Sequence, residues 1–187
     1  DRIIPSLAGM MSRRAGMPWN GSHVLIRLLL NMKYHVRTAY GVSSVAFSNM
    51  TKHLLGVMQG AGHSGTLWAL TSSILLDIMD ETHGAEFHSP YPTQLGCQRT
   101  GEAFVDDTSL WILRMGLMFL ALTTLMQQTA QRWARLIHVS GGALNLLKCF
   151  WYGIQWSYSP TGIPRMCKIH DNDPSIDVSP GDDTSQT

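Results

Sequence analysis

Charge is scarce in this chain. Only 14% of its 187 residues are Asp, Glu, Lys or Arg, against about 25% in a typical globular protein, so much of its surface is uncharged and suited to meeting a partner. Cysteine is nearly absent as well. Cys97, Cys149 and Cys167 have no metal-ligand spacing, and an odd number excludes a fully paired secreted framework, so a reducing compartment is expected, nucleus or cytoplasm. No secretory signal is visible and the first residue is Asp1, which points to an intracellular protein and to a fragment or processed piece. There is no long apolar run. Leu117 to Met126 covers about half of the ~20 residues that a membrane span needs, with Arg114 and Gln127-Gln128 on its flanks, and reads as a buried helix without a membrane partner. No internal repeat is evident.

What the chain does contain is enough apolar residue for a core. At 187 residues and 44% hydrophobic content one domain is the expectation, burying about 70% of the surface of its unfolded chain. The formal net charge is +1, but five of the thirteen acids, Asp171, Asp173, Asp177, Asp182 and Asp183, lie after residue 170. Fourteen basic residues therefore face eight acidic ones in residues 1–170, a net of +6. Such a body can attract a polyanion.

Periodicity predicts a helix over residues 3–16, with Pro5 in its first turn and Gly16 as its stop, and a second helix capped by Asn20 or Ser22 and running to Met32. From Tyr34 to Phe47 the pattern fits a hairpin around a glycine turn. Residues 56–65 hold four glycines and lead directly into an apolar helix reaching about Met79. A glycine-rich loop at a helix N-terminus can turn backbone amides and the helix dipole toward an anion or a nucleotide. Residues 80–101 read as a loop ending in a strand from Leu95; His83 and His88 within it do not share a helical face, which argues against a metal site. Leu117 to Val139 reads as one long helix ended by Gly141-Gly142, with Trp133 and Leu136 buried and Gln127, Gln128, Gln131, Arg132 and Arg135 on its polar side. A turn over 143–148 and an aromatic strand over Cys149–Trp156 follow, its rings expected in the core. Residues 168–187 have little apolar content and read as a disordered acidic tail.

The most informative stretch is Glu102 to Leu113. Ala103-Phe104-Val105, then Asp106-Asp107, then Thr108-Ser109 and Leu110-Trp111-Ile112-Leu113 read as a hairpin with two carboxylates at its tip, because adjacent side chains on a strand point to opposite faces and meet only where the chain turns. Two carboxylates about 4 Å apart repel by roughly 1 kcal/mol in water and roughly 4 kcal/mol at an effective dielectric near 20. A divalent cation would remove that cost. Magnesium takes one or two carboxylates plus waters and substrate phosphates, which makes phosphoryl or nucleotidyl transfer the first chemistry to consider. The competing reading is a solvated turn, since Asp is a common turn residue.

In order along the chain, the Gln59-Gly60 loop and helix, then Phe104-Val105-Asp106-Asp107, then a long helix, then Gly141-Gly142-Ala143-Leu144-Asn145-Leu146-Leu147-Lys148-Cys149 and a strand resemble the palm of a retroelement reverse transcriptase. The three pieces look like that family's motifs B, C and D. The resemblance covers residues 1–156 and implies an α+β fold, a palm-like antiparallel sheet packed against helices within an incomplete right-hand polymerase. Residues 157–187 would be a connecting segment and tail. It further implies template-directed DNA synthesis from deoxynucleoside triphosphates on an RNA or DNA template with its primer, using two Mg2+ ions, with Mn2+ as a substitute, about 3.5–4 Å apart. Asp106 and Asp107 would hold the metal, Gln59, Gly60 and Gly62 would line the nucleotide and template pocket, and Lys148 would approach the incoming phosphates.

The sequence departs from that pattern in three places. Met58 and Gly65 stand where close relatives have glycine and proline. Asp1-Arg2-Ile3-Ile4 looks like the end of motif A, which puts the first metal-binding aspartate ahead of residue 1, and fingers and thumb elements are missing from the match. The expectation is an inactive fragment of an active parent, or a decayed remnant without enzymatic function. Gly62-His63-Ser64-Gly65 offers a further alternative, the nucleophile elbow of a serine hydrolase using Ser64, but that motif requires glycine where Thr66 stands.

Overall fold

The computed structural model describes residues 3–48, 62, 64–80, 84–93, 95–104, 107–114, 116–166 and 175–179. Its chain falls into two units, residues 1–75 with 137–142 and residues 76–136 with 143–187.

The first unit is built from helices and one hairpin. Helix α1, Pro5–Arg14, begins with a proline whose fixed φ and missing N–H suit a first turn, and carries Arg13 and Arg14 in its last turn, where the helix dipole favours cations. The chain leaves it at Gly16, at φ +97°. Helix α2, Trp19–Asn31, starts earlier than the sequence suggests: Pro18 occupies the cap position, and Asn20 and Ser22 lie inside the helix, so neither caps it. The Arg13 guanidinium sits 5.2 Å from the centre of the Trp19 ring, a cation–π contact across the α1–α2 turn. Gly9 lets the two helices close up, since a Cβ there would fall 2.4 Å from the Ile26 side chain. Ile3, Ala8 and Leu29 form the core with Leu67 from the start of helix α3, Ser64–Asp80, and Leu25, Met32 and Trp68 pack around them. Strands β1, Lys33–Thr38, and β2, Gly41–Ser48, form the expected hairpin. Its register shifts between His35 and Arg37, and the Val36 N–H left out of the ladder donates to the Ser43 hydroxyl at 3.1 Å.

In the second unit, β3, Ala85–His88, pairs antiparallel with β4, Gly96–Arg99; the sequence points only to the latter. After Thr100 the chain forms β5, Gly101–Phe104, and β6, Asp107–Leu110, again antiparallel. Helix α4, Phe119–Val139, contributes its residues up to Leu136 here and closes as expected at Gly141, φ +93°, with the Gly142 N–H donating to the Ile137 carbonyl at 2.8 Å. A 3₁₀ turn over Leu146–Lys148 follows, then β7, Trp156–Tyr158, paired with β8, Pro164–Met166. The chain is thus α+β with antiparallel pairing, and among the described residues each strand pairs only with its neighbour in sequence, giving four two-stranded sheets.

Two expectations fail in this unit. Residues 149–155 are not a strand, and Phe150, Tyr152 and Trp156 are 79%, 72% and 55% exposed. The segment instead lies against α4: Trp151 stacks on Phe119 with ring centres 6.2 Å apart, and a Cβ on Gly153 would fall 2.4 Å from the Phe119 ring. Close packing at Gly153 overrides the β-propensity of its aromatic neighbours. The tail expectation fails over residues 175–179, which are held against α4 by Gln127 and Gln131; the rest of residues 168–187 lies outside the described residues apart from these five.

Gly101 makes the β5–β6 hairpin possible, because a Cβ on it would sit 2.5 Å from the Ser109 carbonyl oxygen. Gly101→Ala must spread the two strands and is expected to lower stability by about 1–3 kcal/mol, measured by urea denaturation; an unchanged midpoint would refute the role given to this contact.

Candidate functional site: the carboxylate hairpin

The β5–β6 hairpin hangs from one buried residue. Thr100 is fully buried, and each of its polar groups is used. Its N–H donates to Asp80 Oδ1 at 2.7 Å, its hydroxyl donates to the Met79 carbonyl at 2.9 Å, and its carbonyl accepts from the Trp111 N–H at 2.9 Å. The first two bonds tie it to the last turn of α3, and the third closes the base of the hairpin just beyond Leu110. Asp80 Oδ2 accepts a second bond, 2.7 Å from Arg99 Nη1. That hydrogen bond and charge raise the Arg99 guanidinium above its ordinary pKa. Beneath the joint a Cβ on Gly84 would meet the Arg99 carbonyl at 2.4 Å, and Arg114 Nη1 donates to the Gly84 carbonyl at 3.0 Å. On the side of the hairpin, Trp111 meets Phe87 edge-on with centroids 6.0 Å apart.

From this base the ladder runs Gly101 to Leu110, Glu102 to Ser109, Ala103 to Thr108 and Phe104 to Asp107. Asp107 therefore opens β6 at the far end of the hairpin, exposed to solvent, opposite an exposed Phe104. The hairpin read from the sequence is present. Asp106 lies outside the described residues, as do Gln59 and Gly60. Gly62 is an exposed turn residue with open space where a side chain would be. Lys148 ends the 3₁₀ turn, exposed, and no ion pair joins it to Asp107. Ser64 is the first residue of α3, and His63 lies outside the described residues. Among the described residues no group of three or more His, Cys, Asp or Glu side chains is placed to hold a metal ion. Nor is any described helix long and apolar enough to cross a membrane.

The chain matches no protein-family model, no curated protein and no solved structure.

Sequence reasoning found the hairpin and missed its anchor. Asp80 stands in an acidic, polar stretch where any of several carboxylates could cap or solvate, and nothing in the residue order pairs it with Thr100. Asp80→Ala is expected to cost roughly 2 kcal/mol through the lost charged acceptor of the Thr100 N–H, whereas Arg99→Ala, which removes only the exposed partner, should cost under about 1 kcal/mol. Chemical denaturation of the two variants separates them; equal losses would place the strength of the joint in the ion pair instead.

Proposed function

We propose that the chain is part of an RNA-directed DNA polymerase palm, the hairpin β5–β6 presenting Asp106 and Asp107 to Mg2+ during template-directed nucleotidyl transfer from deoxynucleoside triphosphates. The observation that carries the reading is the hairpin itself: an exposed aspartate opens the return strand directly after a second aspartate in sequence, on a base that is rigidly bonded to α3. The donor chemistry fits. Magnesium keeps several waters and takes few protein carboxylates, which suits an exposed Asp107 engaged by no other side chain among the described residues. When bound, the ion would supply Lewis-acid stabilisation of the transferred phosphoryl group. The chain's own residues orient it from a short, two-sided ladder, and Lys148, solvent-facing, is available to offset phosphate charge. The excess of basic over acidic residues in 1–170 supports attraction of template and primer.

The likeness in residue order matches no motif A metal-binding aspartate within these 187 residues, so alone they are expected to give no primer extension above an Asp106→Ala control. A longer parent chain carrying that aspartate should extend a primer, and Asp106→Ala or Asp107→Ala within it should cut extension at least ~100-fold, since losing even a supporting metal contact costs 10–100-fold. Extension that survives both substitutions would refute the assignment. Met58 and Gly65 favour the second reading, a decayed remnant, which predicts a parent reading frame broken upstream. Binding separates from catalysis in a further measurement: the 187-residue chain should enhance water-proton relaxation with Mn2+, and Asp106→Ala with Asp107→Ala should remove that enhancement.

A further inference from the structure

Helix α4 meets the chain's own C-terminal segment through two side-chain amides. Gln127 Oε1 accepts the Asp177 N–H at 2.8 Å while its Nε2 donates to the Asp177 carbonyl. Gln131, four residues on, repeats the arrangement: its Oε1 accepts the Ser179 N–H at 2.9 Å, and its Nε2 donates to the Ser179 carbonyl at 3.3 Å. The Ser179 hydroxyl adds a bond to Gln131 Oε1 at 3.1 Å. Apart from that hydroxyl, every bond goes to main chain. The spacing explains why two residues suffice. Positions i and i+4 on a helix are about 6 Å apart along its axis, and positions i and i+2 of an extended chain about 6.6 Å apart, so each amide finds both polar groups of alternate residues. Pro180 follows Ser179 in sequence and disfavours helical backbone at the residue before it. The two glutamines belong to a groove of about 400 Å³ shared with Gln128, Arg132 and Arg135.

We propose that this face of α4 is a binding site for extended peptide, reading backbone rather than sequence, and that residues Ser175–Ser179 are its resident occupant, held in cis and exchangeable for a peptide in trans. The proposal is independent of the polymerase reading, because it uses none of the carboxylates, Lys148 or the glycine loop. Covalent linkage within one chain gives the resident segment an effective concentration on the order of millimolar. A free peptide therefore gains entry only where the resident is weakened.

The pattern of amide exchange in the full chain tests cis occupancy. The Asp177 and Ser179 amides should exchange about tenfold more slowly than that of Val178 between them. Gln127→Ala should release Asp177, and Gln131→Ala should release Ser179; alanine is a better helix former than glutamine, so α4 persists in both, as circular dichroism will confirm. Uniform fast exchange over 177–179 in the unmodified chain, or protection untouched by both substitutions, overturns the proposal. The trans arm uses a fluorescein-labelled peptide, Ser-Ile-Asp-Val-Ser-Pro, and a full chain carrying Asp177→Pro with Ser179→Pro, which removes both main-chain donors of the resident segment and the Ser179 hydroxyl. The peptide should bind this variant at least tenfold more tightly than the unmodified chain, and adding Gln127→Ala with Gln131→Ala should abolish binding. Equal binding to all three, or binding to none, overturns it.

Discussion

The fully bonded Thr100 is the constraint on which the second unit depends. Its N–H, hydroxyl and carbonyl reach Asp80, Met79 and Trp111 in turn, so the end of α3, the junction of β4 with β5, and the residue leaving β6 share one buried point. A two-stranded hairpin is marginal by itself in water, and this one has four paired positions on each strand. Its stability therefore has to come from the base, where burial makes each hydrogen bond costly to lose. The ends of the hairpin consequently differ in character: fixed at Gly101 and Leu110, solvated at Phe104 and Asp107. A rigid base with a wet tip would suit the metal-binding carboxylate proposed above.

The helices were the most legible part of the sequence because each carries its own local signals. Pro5 and Gly16 bracket α1, Gly141-Gly142 ends α4, and the apolar run after Ser64 is long enough to fix α3. The hairpins around Gly41 and around Asp106-Asp107 were legible for the same reason, a turn signal between two runs suited to strands. Most of what failed depended on contacts between residues distant in sequence. The aromatic segment 149–155 has strand composition but no partner strand among the described residues, and its conformation follows Gly153 against Phe119. β3 was hidden because Glu86, Phe87 and His88 acquire their pairing from Gln98, Cys97 and Gly96 across a proline-containing loop. Asn20 and Ser22 have cap chemistry, yet Pro18 with its fixed φ starts α2 first.

Of the candidate site, the sequence made the antiparallel hairpin that carries Asp107 readable. It did not disclose the anchor, since a hydrogen bond between residues 80 and 100 leaves no periodic trace. Nor did it disclose the use of Gln127 and Gln131. On a helical wheel they are two polar residues on a polar face, and their partners lie about fifty residues away. Composition marked residues 168–187 as unable to build a core, which is a statement about burial. It leaves open that such a segment is held by its backbone alone.

That backbone grip also sets how the segment can shift. The next position on the same face of α4 is Arg135, whose guanidinium donates but cannot accept, so it cannot repeat the two-way amide grip of Gln127 and Gln131. Sliding the segment by one residue presents main-chain groups aimed the opposite way, whereas sliding it by two brings Ser175 to Gln127 and Asp177 to Gln131 with groups aimed the same way. Register along α4 is therefore quantised in steps of two residues, like the pairing of one β-strand with another, although one of the two partners here is a helix.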